Sequence, residues 1–157
     1  MLLRRRDGYA TPPCCGKVRL VVCEDHVLFR EGVVEMYSFG GDVAVVGEAA
    51  THEETVAVVS DLRPDVVLLD LEMPGGAMGA DESMGRILDL SPPPRVVVFT
   101  MHDEPGMVGR FLRKGATAYI PKSADVNELV EAVRDAARLG PESRAETEGG
   151  AGNLERG

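Results

Sequence analysis

At 157 residues the chain has room for one domain with a substantial core and too little for two well-packed ones. Its 44% hydrophobic content excludes a wholly disordered chain, and with no apolar run long enough to cross a bilayer it reads as a soluble protein with no membrane partner. A net charge of −9 argues against a broad surface for nucleic-acid phosphate and favours proteins or cations as partners.

The chain opens on Met1-Leu2-Leu3-Arg4-Arg5-Arg6, but polar Asp7, Gly8, Thr11, Pro12 and Pro13 follow where a signal peptide needs an apolar segment, so a cytoplasmic address is expected. Residues 1–16 read as a flexible tail. Adjacent Cys14 and Cys15 lie in it and are assigned no role, and with Cys23 they lack the spacing of a zinc or redox motif. Cys23 falls in an apolar run and reads as a small core residue.

That run, 18–23, is the first predicted strand. Residues 27–39 form a predicted helix whose apolar side carries Val27, Leu28, Val33, Val34, Met36 and Tyr37, with Arg30, Glu31 and Glu35 on its wet side. A second apolar run spans 43–46. Thr51-His52-Glu53-Glu54 then reads as a capping box opening a helix to about Leu62, with Pro64 as the stop. Strand 66–69 follows, then helix 83–90 ended by Pro92-Pro93-Pro94, strand 96–99, helix 105–114 ended by Gly115, and a short strand at 118–120. Asp125-Val126-Asn127-Glu128 opens the last helix, whose apolar face continues through Leu129, Val130, Val133, Ala136 and Ala137 toward Gly140. The β-α unit thus occurs five times, which predicts an open, doubly wound α/β fold over residues 17–140, with a parallel sheet between two helical layers. Residues 141–157 read as a flexible acidic tail.

In such a sheet ligands bind beyond the carboxyl ends of the strands. The first run ends in Glu24-Asp25, the third in Asp70, the fourth in Thr100, and Lys122 follows the fifth. Acidic residues after a strand often only cap a turn, and a lone Thr or Lys means little. Their joint placement on one edge is what points to a site. Crowded carboxylates repel unless a cation neutralises them, and an all-oxygen ligand set favours Mg²⁺, with Mn²⁺ as a substitute. A carboxylate can then act as nucleophile toward a phosphoryl group, with Lys122 and the metal balancing charge and Thr100 donating a hydroxyl.

Val21-Val22-Cys23-Glu24-Asp25-His26, Asp70-Leu71-Glu72-Met73-Pro74, Val98-Phe99-Thr100-Met101 and Lys114-Gly115-Ala116-Thr117-Ala118-Tyr119-Ile120-Pro121-Lys122 together resemble the receiver domains of two-component response regulators. The resemblance implies a flavodoxin-like (βα)5 fold of strand order 2-1-3-4-5. It makes Asp70 the phosphoacceptor, Glu24 and Asp25 the acidic metal pair, and the backbone carbonyl of Glu72 a further metal ligand. Thr100 and Lys122 match the switch hydroxyl and the phosphate-binding lysine, and Tyr119 the aromatic that reorients on activation. It also implies a sensor histidine kinase as phosphodonor, a downstream protein or a second copy as target, and no enzymatic role beyond self-phosphorylation and slow autodephosphorylation.

The stretches Asp25-His26-Val27-Leu28-Phe29-Arg30-Glu31-Gly32 and Thr100-Met101-His102-Asp103 look like the nitrate-response type, whose members carry a helix-turn-helix output domain. Only 17 residues follow Gly140, and Glu142, Glu146, Glu148 and Glu155 outnumber Arg144 and Arg156 there, so direct sequence-specific DNA binding by this chain is not expected. Residues 75–82 look longer than the family's usual turn and lack its Asp-Gly or Asn-Gly, and their glycines suggest mobility. Rival readings are a haloacid-dehalogenase-type phosphatase, which needs a second Asp where Glu72 stands, a flavin-binding module, whose phosphate Glu24-Asp25 would repel, and a phosphorylation-independent protein scaffold.

Overall fold

The computed structural model describes residues 17–38, 41–101 and 105–139; both expected tails, with Cys14 and Cys15, and Phe39, His102, Asp103 and Gly140 lie outside them. Strands β1 (Val18–Cys23), β2 (Val43–Ala49), β3 (Val66–Asp70), β4 (Arg95–Thr100) and β5 (Ala118–Pro121) alternate with helices α1 (Val27–Ser38), α2 (His52–Leu62), α3 (Ala80–Leu88), α4 (Pro105–Lys114) and α5 (Val126–Arg138). All strand pairs are parallel, in the order β2-β1-β3-β4-β5.

The near-continuous apolar runs are explained by burial on both sides of the sheet. Leu20 and Val22 of β1, Leu68 of β3, and Val97 and Phe99 of β4 face one core with Val33, Val34 and Tyr37 of α1 and Leu129 and Val133 of α5. Their alternates Val21, Cys23, Val67, Leu69, Val96 and Val98 face a second core with Val58 and Val59 of α2, Met84 and Ile87 of α3, and Phe111 of α4. Buried Tyr37 donates its hydroxyl to the carbonyl of Leu129 at 2.9 Å, tying α1 to α5.

Caps explain the helix limits. In α5 the box is complete: Asp125 accepts from the Glu128 amide at 2.8 Å, and Glu128 accepts from the Asp125 amide at 3.3 Å. In α2 Thr51 accepts from the Glu54 amide at 3.0 Å, but Glu54 returns its bond to Ala50 rather than Thr51. Helix α4 ends where Gly115 takes φ of +129°, a conformation that favours glycine, and Ala116 N–H reaches back to the Phe111 carbonyl at 3.0 Å.

Four local expectations are corrected. Helix α3 starts at Ala80 rather than Ser83, because Gly79 caps it without a side-chain hydrogen bond and so leaves no sequence signal. Strand β2 runs on to Ala49, since Val21, Val22 and Cys23 continue pairing with Gly47, Glu48 and Ala49 past a register shift. Arg30, expected on the wet side of α1, is buried: its guanidinium bonds Glu48 Oε1 at 3.0 Å and the Glu24 carbonyl at 2.7 Å. Val27 and Leu28, expected on the apolar side, are 53% and 76% exposed, while Phe29 and Arg30 of the same turn take the inward positions.

Removing one partner of a buried ion pair strands the other charge. Arg30→Leu is therefore expected to destabilise the fold by about 3–5 kcal/mol in urea unfolding, and adding Glu48→Leu should recover much of the loss; a double variant no better than the single one would contradict this.

His52 is a second buried polar group. In the neutral ring Nε2–H donates to the Leu71 carbonyl at 3.2 Å and Nδ1 accepts from the Ser83 hydroxyl at 2.8 Å. Burial holds its pKa below the ordinary value, outweighing the opposing pull of the Leu71 carbonyl. The unfolded chain then takes up the proton first, so the His52 contribution is fully present above the unfolded pKa of about 6.5 and is lost as pH falls through it. His52→Gln should shrink the stability lost between about pH 7 and 5, measured by urea titration at each pH; an equal loss in both proteins would rule this out.

Candidate functional site

The first crossover from β1 leads to β2 at one edge, and the rest of the chain builds outward from β3, so the sheet reverses its order between β1 and β3. The residues leaving these two central strands meet there. Glu24 and Asp25 follow β1, Asp70 ends β3, and their carboxylate oxygens lie within 4.8 Å of one another. Glu24 and Asp70 are each 1% exposed, whereas Asp25 opens to solvent.

Lys122 enters directly after β5. Its ammonium lies 2.6 Å from Glu24 Oε1 and 3.0 Å from Asp70 Oδ2. The other oxygens are held by backbone: the His26 amide donates to Glu24 Oε2 at 3.0 Å, and the Glu72 amide donates to Asp70 Oδ1 at 3.0 Å. Burial raises the pKa of both carboxyls, partly offset at Glu24 by Lys122 and His26 and at Asp70 by the Glu72 amide and Lys122. Burial pulls the Lys122 ammonium the other way, but its two carboxylate partners win and hold it above the ordinary lysine value.

Three carboxylates and one ammonium leave two negative charges, which a divalent cation would cancel. The donors are all oxygen, which suits a hard ion such as Mg²⁺. Glu72 itself points outward between buried Leu71 and Met73, leaving its peptide group next to Asp70.

Thr100 ends β4 and is fully buried, with its carbonyl accepting the Lys122 amide at 3.0 Å. It lines a small recess under α4 together with half-buried Tyr119, Phe111 and Leu112. The two expected switch residues therefore both border that helix, Thr100 on the strand next to Asp70 and Tyr119 one strand further out.

Sequence reasoning missed the supports of this site. Phe29 and Phe99 stack at 5.3 Å with an interplanar angle of 8°, and the Lys122 ammonium lies 5.0 and 5.5 Å from the two ring centres, within cation–π range. Arg30 fixes the backbone of Glu24 from behind. No periodicity marks either contact, because each joins residues of different elements. Residues 75–79, expected to be mobile, are tied to α2: Glu53 Oε2 accepts from the amides of Ala77 and Met78 at 2.7 and 2.8 Å.

Residues 20–134 match the family model for the response regulator receiver domain. A Mycobacterium tuberculosis protein described as "Probable transcriptional regulatory protein NarL" is 41% identical over 122 residues, 78% of this chain and 56% of that protein. The nitrate/nitrite response regulator protein NarL of Escherichia coli is 34% identical over 118 residues, 75% of this chain and 54% of its own length. The chain thus spans about half the length of the curated relatives it matches. Among solved structures, the signal receiver domain of NarL from M. tuberculosis superposes with a TM-score of 0.73 at 40% identity, covering 79% of this chain and 98% of that one.

Proposed function

The chain belongs to the response regulator receiver domain family of two-component signalling, and on that premise we propose that Asp70 accepts a phosphoryl group from a phosphohistidine of a sensor histidine kinase. The observation that carries this reading is the placement of the Asp70 carboxylate at a buried strand end, 3.0 Å from the Lys122 ammonium and beside Glu24 and Asp25. A strand anchored on both faces holds a nucleophile more firmly than a loop does.

Glu24, Asp25, one oxygen of Asp70 and the backbone carbonyl of Glu72 are the groups that would hold Mg²⁺, or Mn²⁺ in its place. Such an ion supplies neutralisation of charge on the incoming phosphoryl oxygens. The second Asp70 oxygen forms the new P–O bond, while the P–N bond of the donor breaks and its electron pair returns to the imidazole nitrogen. Lys122 exchanges one carboxylate contact for a phosphoryl oxygen. The Thr100 hydroxyl donates to another, and Tyr119, which shares the recess under α4 with it, reorients, altering the surface read by a downstream protein or a second copy. In this reading the chain acts in the cytoplasm.

Three outcomes follow. With acetyl phosphate and Mg²⁺ the chain gains about 80 Da, one phosphoryl group, by intact-protein mass spectrometry; Asp70→Asn should not, and an adduct persisting in that variant removes the reading. Asp25→Ala should weaken Mg²⁺ binding by at least about tenfold in an NMR titration, and an unchanged titration would exclude Asp25 as a ligand. Thr100→Ala should still accept phosphate while losing the phosphate-dependent amide shifts around α4 and β5 seen in the parent protein; identical shifts would deny Thr100 the coupling role.

A further inference from the structure

The segment after Asp70 is gripped by three consecutive residues at the start of α2. A Cβ on Gly75 would meet Thr51 Cγ2 at 3.3 Å. His52 bonds the Leu71 carbonyl at one end of the segment and the Ser83 hydroxyl, in the first turns of α3, at the other. Glu53 takes the middle through the Ala77 and Met78 amides. Gly76 lies flat on that carboxylate: its φ is +85°, and a Cβ there would sit 2.3 Å from Glu53 Oε1, an oxygen shielded from solvent with no hydrogen-bond partner.

The Glu72 peptide lies between these anchors. Its amide orients Asp70 Oδ1, and the Leu71 carbonyl just before it is fixed by His52. We propose that Glu53 is a positioning residue for the phosphoryl-accepting centre, holding the 75–79 segment so that the Glu72 peptide keeps its place against Asp70 and the cation. This rests on the reading of Glu24, Asp25 and Asp70 as the metal-binding acids. The Met78 amide, Glu53's own amide and the Ala77 amide also hold the Glu53 carboxyl below its usual range, so it is charged at neutral pH and its bonds are charge-assisted.

The test uses the full chain with Glu53→Ala, Glu53→Gln and Gly76→Ala. Glu53→Ala removes the acceptor. Gly76→Ala keeps the Glu53 carboxylate in the sequence but crowds it off the loop and strains the backbone at φ +85°. Glu53→Gln keeps an oxygen where Oε2 accepts both amides. Amide exchange at Ala77 and Met78 should quicken about tenfold or more in the first two variants, and Mg²⁺ dissociation constants from NMR titration should rise about tenfold, a typical loss when the support of a metal ligand is removed. Glu53→Gln should stay within about threefold of the parent on both measures. Urea midpoints identify any variant whose change is global unfolding. Faster exchange with unchanged Mg²⁺ affinity in both disruptive variants would reduce Glu53 to a loop tether and overturn the proposal, as would unchanged exchange or a parent protein with no saturable Mg²⁺ binding. Exchange and Mg²⁺ titration need no phosphorylation, so a parent protein that binds Mg²⁺ but gains no adduct would defeat the acceptor assignment of Asp70 while leaving the Glu53 result standing.

Discussion

Two carboxylates as buried as Glu24 and Asp70 repel each other and lose hydration, and the ammonium of Lys122 between them makes the arrangement tolerable. Much of the surrounding structure serves to deliver that one cation. The Lys122 amide bonds the Thr100 carbonyl, which sets where the chain leaves β5. The stacked rings of Phe29 and Phe99 give the ammonium a π surface at about the same depth as the acids. Helix α1, strand β4 and strand β5 are thus all registered against a single charge. Even so, burial keeps both acids above their ordinary pKa, so the centre is left short of positive charge.

That shortage is a consequence of where the acids sit. The sheet is apolar on both faces, with α1 and α5 covering one and α2, α3 and α4 the other, so polar side chains are confined to strand ends. At those ends the backbone is still held by the parallel ladder, which continues through the Asp70–Phe99 and Thr100–Pro121 pairs. A side chain there combines the rigidity of the core with access to solvent. Asp25, one residue further along, has the access without the burial.

The strand runs, and the meeting of Glu24, Asp25, Asp70 and Lys122 at one edge of the sheet, were both legible in the sequence for this reason. Val-rich segments without polar alternation suit strands buried on both faces, and the polar residues Glu24, Asp70 and Thr100 directly after three of them mark the edge. What escaped were the supporting contacts around that edge, whose partners are remote. Arg30 reads as a wet position of α1 because nothing local shows that Glu48, 18 residues on, is itself buried in the extended part of β2. His52 and Glu53 read as members of a helix cap, and Thr51 does cap α2, but their own partners lie between 19 and 31 residues away in the β3–α3 connection and the start of α3. The glycines at 75, 76 and 79 suggested mobility; at Gly76 the absence of a side chain instead admits a carboxylate against the backbone. Phe29 went unremarked because its role depends on a ring in β4.

Two cations reach Glu24, and their chemistry divides the work. Arg30 approaches from within, its planar guanidinium spending separate donors on Glu48 and on the Glu24 carbonyl, so it is committed to fixed partners in the core. Lys122 approaches from the open side with a compact charge on a flexible stem, shared between two carboxylates and two rings rather than bound in a fork to either. A group held by several comparable attractions can give up one for a phosphoryl oxygen without losing the rest. A guanidinium at position 122 would match the carboxylates better in the resting protein and be harder to redirect. On the proposed function, the fold keeps its strongest hydrogen-bonding cation for the part of the site that would stay still and its most adaptable one for the part where phosphoryl charge would arrive.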